Sequence, residues 1–309
     1  MSNLQLRPLQ TDDWDQLAVL IFESTNDWYA KKLNRSIFTG DPSCALVFPE
    51  VYEALDPGCC LVMEDTETGR LAGSCFFRER ETHWSLGIMN AHADYAGQRV
   101  AATLLGEILQ KADATGKPLR LVSSAMNLDS YSLYNRHGFV PQKTFQDMFV
   151  NVPEGGLDWK PEGFERVRPA VPGDSKPAAD LELELHGIRR EKDIAHFIAN
   201  EASIWHASVI ETEDGEVSGF LASVNHPGSN MIGPGFASTE ADALALLAAE
   251  LDVHRGRSPV FLVPVDATEM VRELYAIKAR NCELHFAQCR GGSARFDGVW
   301  MPSFMPETG

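Results

Sequence analysis

The sequence predicts an α/β (α+β) protein of two similar domains in tandem, each a mixed, mostly antiparallel sheet flanked by helices. Three observations predict it. The 309 residues, 44% of them hydrophobic, exceed one ordinary domain and suffice for two packed cores. Strands come first and helix-separated strands afterwards, the order that makes a mixed sheet with helices on its faces. The signals of the first half then recur in the same order about 140 to 160 residues later.

Leu4, Leu6 and Pro8 predict a short edge strand, and Thr11-Asp12-Asp13 a start signal for a helix carrying Trp14, Leu17, Leu20, Ile21 and Phe22. A second helix is read within 42–55 from Phe48, Val51, Tyr52 and Leu55. Strands at 60–64 and 71–78, joined by the polar turn 65–69, form a hairpin, and a strand over 83–90 follows. Small residues then lead into Val100, Leu104, Leu105, Ile108 and Leu109 at helical spacing, so a helix begins just past a strand. Such a terminus presents unpaired backbone N–H groups and the positive end of the helix dipole, which suits a phosphate or another anion. A strand over 118–122 precedes a helix that starts at Asn127, a good N-cap, and stops at Gly138, a good residue for a helix end.

This ordering resembles the GNAT superfamily of acetyl-CoA-dependent N-acetyltransferases. There an Arg/Gln-x-x-Gly-x-Gly/Ala turn holds the CoA pyrophosphate, and an Asn before a helix is followed by a Tyr and a Gly-Phe. Asn127, Tyr134, Gly138 and Phe139 meet the second pattern. In the first, Val100 and Ala101 fit, while Ala96 stands at the Arg/Gln position and Arg99 at the middle Gly. The resemblance implies acetyl-CoA as cosubstrate, held by Gly97, Gln98, Arg99, Val100, Ala101 and Ala102, with Asn127 and Tyr134 alongside. It also implies that the main chain at Met89 and Ala91 polarises the acyl carbonyl, that Tyr134 protonates the departing sulfur, and that 42–55 overhangs the acceptor. Arg99 either reaches a phosphate oxygen or crowds the path a Gly leaves open. Direct transfer needs a polarised carbonyl, a neutral amine and a proton for the thiolate, and no covalent nucleophile. His83 and His92 flank the central strand and are candidates for deprotonating an ammonium; the ordinary outcome for such a residue is a structural histidine.

In the second half, 153–161 with Gly155-Gly156 reads as a connection, which gives domains 1–152 and 164–309 around a linker 153–163. Val62, Glu64, Gly69 and Gly73 recur as Val209, Glu211, Gly215 and Gly219. Gly116-Lys117-Pro118 recurs as Gly256-Arg257-Ser258-Pro259 before the strand 260–263, and Leu133-Tyr134 as Leu274-Tyr275. Residues 233–240 stand where the phosphate turn is expected, and Glu240 brings negative charge there. Asp266 takes the approximate place of Asn127, and the Gly-Phe is missing. The second domain therefore reads as a degenerate GNAT-like copy that covers or completes the acceptor pocket.

Lys and Arg number 27 against 44 Asp and Glu, a formal charge of -17. Nucleic acid and anionic membranes are poor partners for such a surface, and a cationic amine is drawn in. Six cysteines without a Cys-x-x-Cys spacing indicate neither zinc nor a disulfide framework, and no metal is expected. With no signal-length or membrane-length apolar run, a cytoplasmic protein is expected. The expected activity is transfer of acetyl from acetyl-CoA to a primary amine of a small molecule or peptide. The alternative is a non-catalytic sensor that keeps CoA or another small ligand on two decayed lobes. Peptide N-terminus, amino acid, polyamine and aminoglycoside stay open as acceptors, as does a homodimer.

Overall fold

The computed structural model describes residues 3–304. The first half runs β1 (Leu4–Pro8), α1 (Trp14–Leu33), α2 (Val47–Leu55), β2 (Cys60–Asp65), β3 (Arg70–Glu79), β4 (Trp84–Ala91), α3 (Val100–Thr115), β5 (Leu119–Ser124), α4 (Leu128–Arg136) and β6 (Val140–Phe149). The second half repeats the plan as β7 (Val167–Pro169), α5 (Ser175–His186), α6 (Glu191–Ala199), β8 (Trp205–Glu211), β9 (Val217–Val224), β10 (Met231–Ala237), α7 (Glu240–Val253), β11 (Val260–Pro264), α8 (Thr268–Ala276) and β12 (Arg280–Arg290). It adds a short β13 (Val299–Met301).

The repetition extends to single hydrogen bonds. Arg7 on β1 grips Asp13 at 2.6 and 2.8 Å and Glu64 at 2.5 Å, and Asp13 accepts from the Gln10 N–H at 2.8 Å. Arg168 on β7 grips Asp174 at 2.7 and 2.8 Å and Glu211 at 2.9 Å, and Asp174 accepts from the Val171 N–H at 2.7 Å. Bidentate guanidinium–carboxylate pairing thus fixes where the first helix leaves the first strand in both lobes. In the first lobe Asp13, the last of the three residues read as the start signal, makes this contact.

All strands join one sheet in the order β1-β2-β3-β4-β5-β12-β6-β11-β10-β9-β8-β7, with β13 beside β10. The last strands of the two lobes are exchanged. β12 of the second half lies antiparallel to β5 of the first, with His285 facing Ser124, and β6 of the first half lies antiparallel to β11 of the second. β6 and β12 pair with each other at the centre, where Phe145 faces His285. The chain boundary near 152–164 is therefore not a boundary in the sheet.

Burial follows this exchange. Met148, Val150 and Val152, on and just after β6, pack into the second-lobe core with Phe261, Leu246 and Leu251. One face of the first lobe is covered by α3, whose Val100, Leu104, Leu105 and Ile108 meet Leu86, Leu119 and Leu121. On the other face α1 and α2 share a single core with α5 and α6, Leu17, Ile21, Tyr52 and Phe76 lying with Ile194, Phe197 and Phe220. At that lobe junction the buried Asp193 takes Arg78 and Arg80, each at 3.0 Å.

The structure corrects two sequence readings of the second lobe. Residues 233–237 belong to β10 rather than to a turn, because ladders to β9 and β13 hold them extended. Helices α4 and α8 correspond with Leu274, not Tyr275, at the place of Tyr134; Lys278 (φ +69°) and Ala279 follow α8 as Gly138 (φ +85°) and Phe139 follow α4.

Candidate active site

Strands β4 and β5 are parallel and pair only at Trp84 with Leu119 and Ser85 with Arg120. Beyond that they form no ladder, and the sheet opens between their carboxyl ends. A bulge opposite Phe76 sets the register of β4 back by a residue, since Leu86 faces Phe77 and Met89 faces Cys75. Met89 is half-buried and Ala91 exposed at the end of β4 on this opening.

The turn 96–99 leads from the opening into α3. Gly97 (φ +78°) and Arg99 (φ +63°) both take left-handed backbone, so Arg99 adopts the conformation for which a glycine is the usual residue. The Arg99 side chain is exposed and among the described residues makes no ion pair or hydrogen bond. Arg99 is the N-cap of α3, and no side chain caps the helix, which leaves the N–H groups of its first turn, Val100 to Ala102, aimed outward. Gln98 is exposed beside them. Asn127 caps α4 by accepting from the Ser130 N–H at 3.2 Å, and Tyr134 is buried edge-on to Phe139, ring centroids 5.6 Å apart.

The two histidines part company. His83 is fully buried at the start of β4, within 2.8 Å of the Thr82 hydroxyl, at the opposite end of the strand from Met89 and Ala91. His92 directly follows β4, between Glu23 at 3.3 Å and Arg70 at 3.4 Å, and its Nδ1 accepts from the Asp94 N–H. Only His92 is brought to the opening.

Beneath α1, the same end of the sheet carries polar groups that sequence patterns did not single out. Glu283 on β12 is buried and accepts from Tyr29 Oη at 2.9 Å, from the Ser124 hydroxyl and from Arg35 at 3.3 Å. Burial and the Glu283 charge together push the Tyr29 phenol far above its ordinary value. Asp147 on β6 lies 2.8 Å from His285 on β12. Asn90 on β4 donates to the Ser24 and Thr25 hydroxyls at 2.8 and 3.3 Å. Glu283, His285 and Asp147 reach this place only through strand exchange, a long-range event with no local signal.

The second lobe has the same opening and fills it. β10 and β11 pair only at Met231 with Val260 and Ile232 with Phe261, and β13 then runs along β10, with Met301 facing Gly235 and Val299 facing Ala237. All three β13 residues are buried. The α7 start is capped by Thr239, which accepts from the Asp242 N–H at 3.1 Å, while Glu240 accepts from the Met270 N–H at 2.7 Å and Asp242 pairs with Arg166 at 2.7 Å. The chain's own strand and carboxylates occupy what the first lobe leaves open.

Two family models match, one described as acetyltransferase (GNAT) family over residues 23–139 and one as acetyltransferase (GNAT) domain over 178–288. Fold and family models together define an acyltransferase. The chain belongs to the acetyltransferase (GNAT) family, as a tandem-domain member. Among solved structures it is similar to a protein from Pyrococcus horikoshii assigned as an acetyltransferase, 16% identical over 95% of this chain and 91% of that one, TM-score 0.71. It is also similar to a tandem GNAT protein from the clavulanic acid biosynthesis pathway, 12% identical over 94% and 99%, TM-score 0.60. Saccharomyces cerevisiae N-myristoyltransferase with bound myristoyl-CoA is 11% identical over 96% and 80%, TM-score 0.58. At such identities the likeness is one of fold. No curated protein matches the sequence. Among the described residues no helix is long and apolar enough to cross a membrane.

Proposed function

We propose that the first lobe binds acetyl-CoA and transfers its acetyl group directly to a primary amine, the second lobe serving to complete the site. The carrying observation is the contrast between the openings: β4 and β5 part beside an uncapped helix start, whereas β10 and β11 part around β13 beside a start closed by Glu240 and Asp242. The first-turn N–H groups at Val100, Ala101 and Ala102 suit a pyrophosphate, and the left-handed turn at Gly97 and Arg99 lets it approach. The β4 edge at Met89 and Ala91 suits the pantetheine arm and the acyl carbonyl. The amine nitrogen forms a bond to the thioester carbon, the carbon–sulfur bond breaks, and the sulfur takes a proton from Tyr134, which regains one from solvent. The ammonium proton goes to solvent, with His92 the nearer of the two predicted histidines.

A calorimetric titration with acetyl-CoA tests this reading. One equivalent per chain is expected, and Ala101→Asp, which sets a carboxylate at the helix start, should weaken binding by about tenfold or more. Two equivalents, or unchanged affinity in the folded variant, would place the cosubstrate elsewhere.

A further inference from the structure

The amide of Asn90 is held in one orientation by hydrogen bonds to α1. The Ser24 hydroxyl donates to the Leu20 carbonyl at 2.6 Å, so toward Asn90 it must accept, and the group 2.8 Å from it is therefore the amide nitrogen. The amide oxygen points away from α1. It is buried and among the described residues has no hydrogen-bond partner; nor has the hydroxyl of Ser74, the residue directly across the β3–β4 ladder. A carbonyl oxygen left so costs about 1–3 kcal/mol relative to one that accepts a bond, which marks the position as built for a donor from outside the chain.

Asn90 stands on the strand that borders the opening, at the same depth as Glu283. Asn90 lies six residues beyond Trp84 on β4, and Ser124, which donates to Glu283, lies five beyond its partner Leu119 on β5, the bulge in β4 absorbing the difference. Helix α1 spans the gap. Thr25 touches Asn90 and Tyr29 touches Glu283, and residues four apart on a helix sit on one face about 5–6 Å apart. An uncommitted acceptor on β4 thus stands across the mouth from a buried carboxylate on β12, the strand beyond β5.

We propose that Asn90 and Glu283 form the acceptor subsite, Asn90 Oδ1 accepting an N–H of the incoming amine and Glu283, whose charge the amine shares with Arg35 at 3.3 Å, supplying the counter-charge that selects a cationic acceptor. The subsite rests on the transfer reading above and adds its substrate class: an alkyl ammonium rather than an alcohol or a neutral amide. Both residues position the amine; neither is required to move a proton. Because Glu283 comes from β12, the second lobe contributes half of the subsite.

The test is a titration of the full chain with n-butylamine, and with n-butanol as its uncharged counterpart, with and without saturating CoA. The amine should bind and the alcohol should not. Asn90→Leu and Glu283→Gln should each weaken the amine by about tenfold, the worth of one hydrogen bond to a charged group, while acetyl-CoA affinity stays within about twofold. Ser24→Ala unlocks the amide without removing it and should give a smaller loss; it carries the test if Asn90→Leu fails to fold. Equal binding of alcohol and amine, no amine binding, or unchanged amine affinity in the folded variants overturns the subsite. Failure of acetyl-CoA to bind overturns instead the transfer reading, since the amine titration without CoA still judges Asn90 and Glu283.

Discussion

Arg99 is an L-residue in left-handed backbone at the mouth of the cosubstrate opening, a conformation that costs roughly 1–2 kcal/mol where glycine would cost little. The fold keeps it because α3 can start there only if the chain turns sharply after β4. The Arg99 side chain is exposed, so the guanidinium is not packed into the turn. Tyr134 is the other residue on which chemistry is proposed, and Tyr134→Phe keeps the ring against Phe139 while removing only the hydroxyl. Stability and acetyl-CoA affinity should change little, and turnover of an accepted amine should fall by ~100-fold to 10,000-fold, read from initial rates across pH. A variant as fast as the parent at every pH would make Tyr134 a packing residue. Asn127, Tyr134 and Gly97 were legible because turn and cap chemistry is local. Asn90 and Glu283 were not, since an amide oxygen without a partner among the described residues and a carboxylate brought to Ser124 from 159 residues away have no local pattern.

Elements were legible where the apolar period was clear, as in α3 with its buried Val100, Leu104 and Ile108. The segment 233–237 misled because Gly-Pro-Gly is turn chemistry, and the ladders that extend it come from residues up to 301. How tightly elements seat is set by small residues. A Cβ on Gly73 of β3 would stand 2.3 Å from Val100 Cγ1 and 2.8 Å from the Asn90 carbonyl, so α3 can lie against the sheet only over a bare glycine. Gly73→Ala should cost about 1–3 kcal/mol by overpacking and also weaken acetyl-CoA binding, because the start of α3 must move. Gly219→Ala, whose Cβ would meet Leu246 at 2.9 Å in the second lobe, should cost similar stability and leave acetyl-CoA affinity unchanged. Denaturant melts and titration of both variants check the pair; equal affinity in both would detach α3 seating from binding.

For the whole molecule, duplication was legible from the shared order of signals, and the exchange of β6 and β12 was not, because period-two patterning fixes a strand's faces and not its neighbours. The lobes are also locked at Asp193 of α6, which binds Arg78 and Arg80 of the other half. Burial pushes its carboxyl up, yet the Arg80 and Arg78 charges prevail and hold it at about 2. Its folded value lies below the unfolded one, so its stabilisation is full above about pH 4 and is lost as pH falls toward 2. Asp193→Asn removes the buried charge that both guanidinium groups share, although Arg78 keeps Asp56 at 3.2 Å, and should cost about 3–5 kcal/mol at neutral pH. The gap between parent and variant should narrow as denaturation is repeated toward pH 3; a constant gap would mean that the loss is one of packing.

The exchanged strands also order events in time. β6 leaves the ribosome with β5 already made, but the strand that must lie between them, β12, is still about 130 residues from synthesis. At ordinary translation rates that is a wait on the order of ten seconds. Throughout it the nascent first half exposes an unpaired β5 edge and a loose β6 with Phe145 and Met148 uncovered, the surfaces on which chains aggregate. Folding that usually proceeds from the N-terminus must here pause for the C-terminal half, so an interrupted message yields no half-active enzyme, only a client for chaperones.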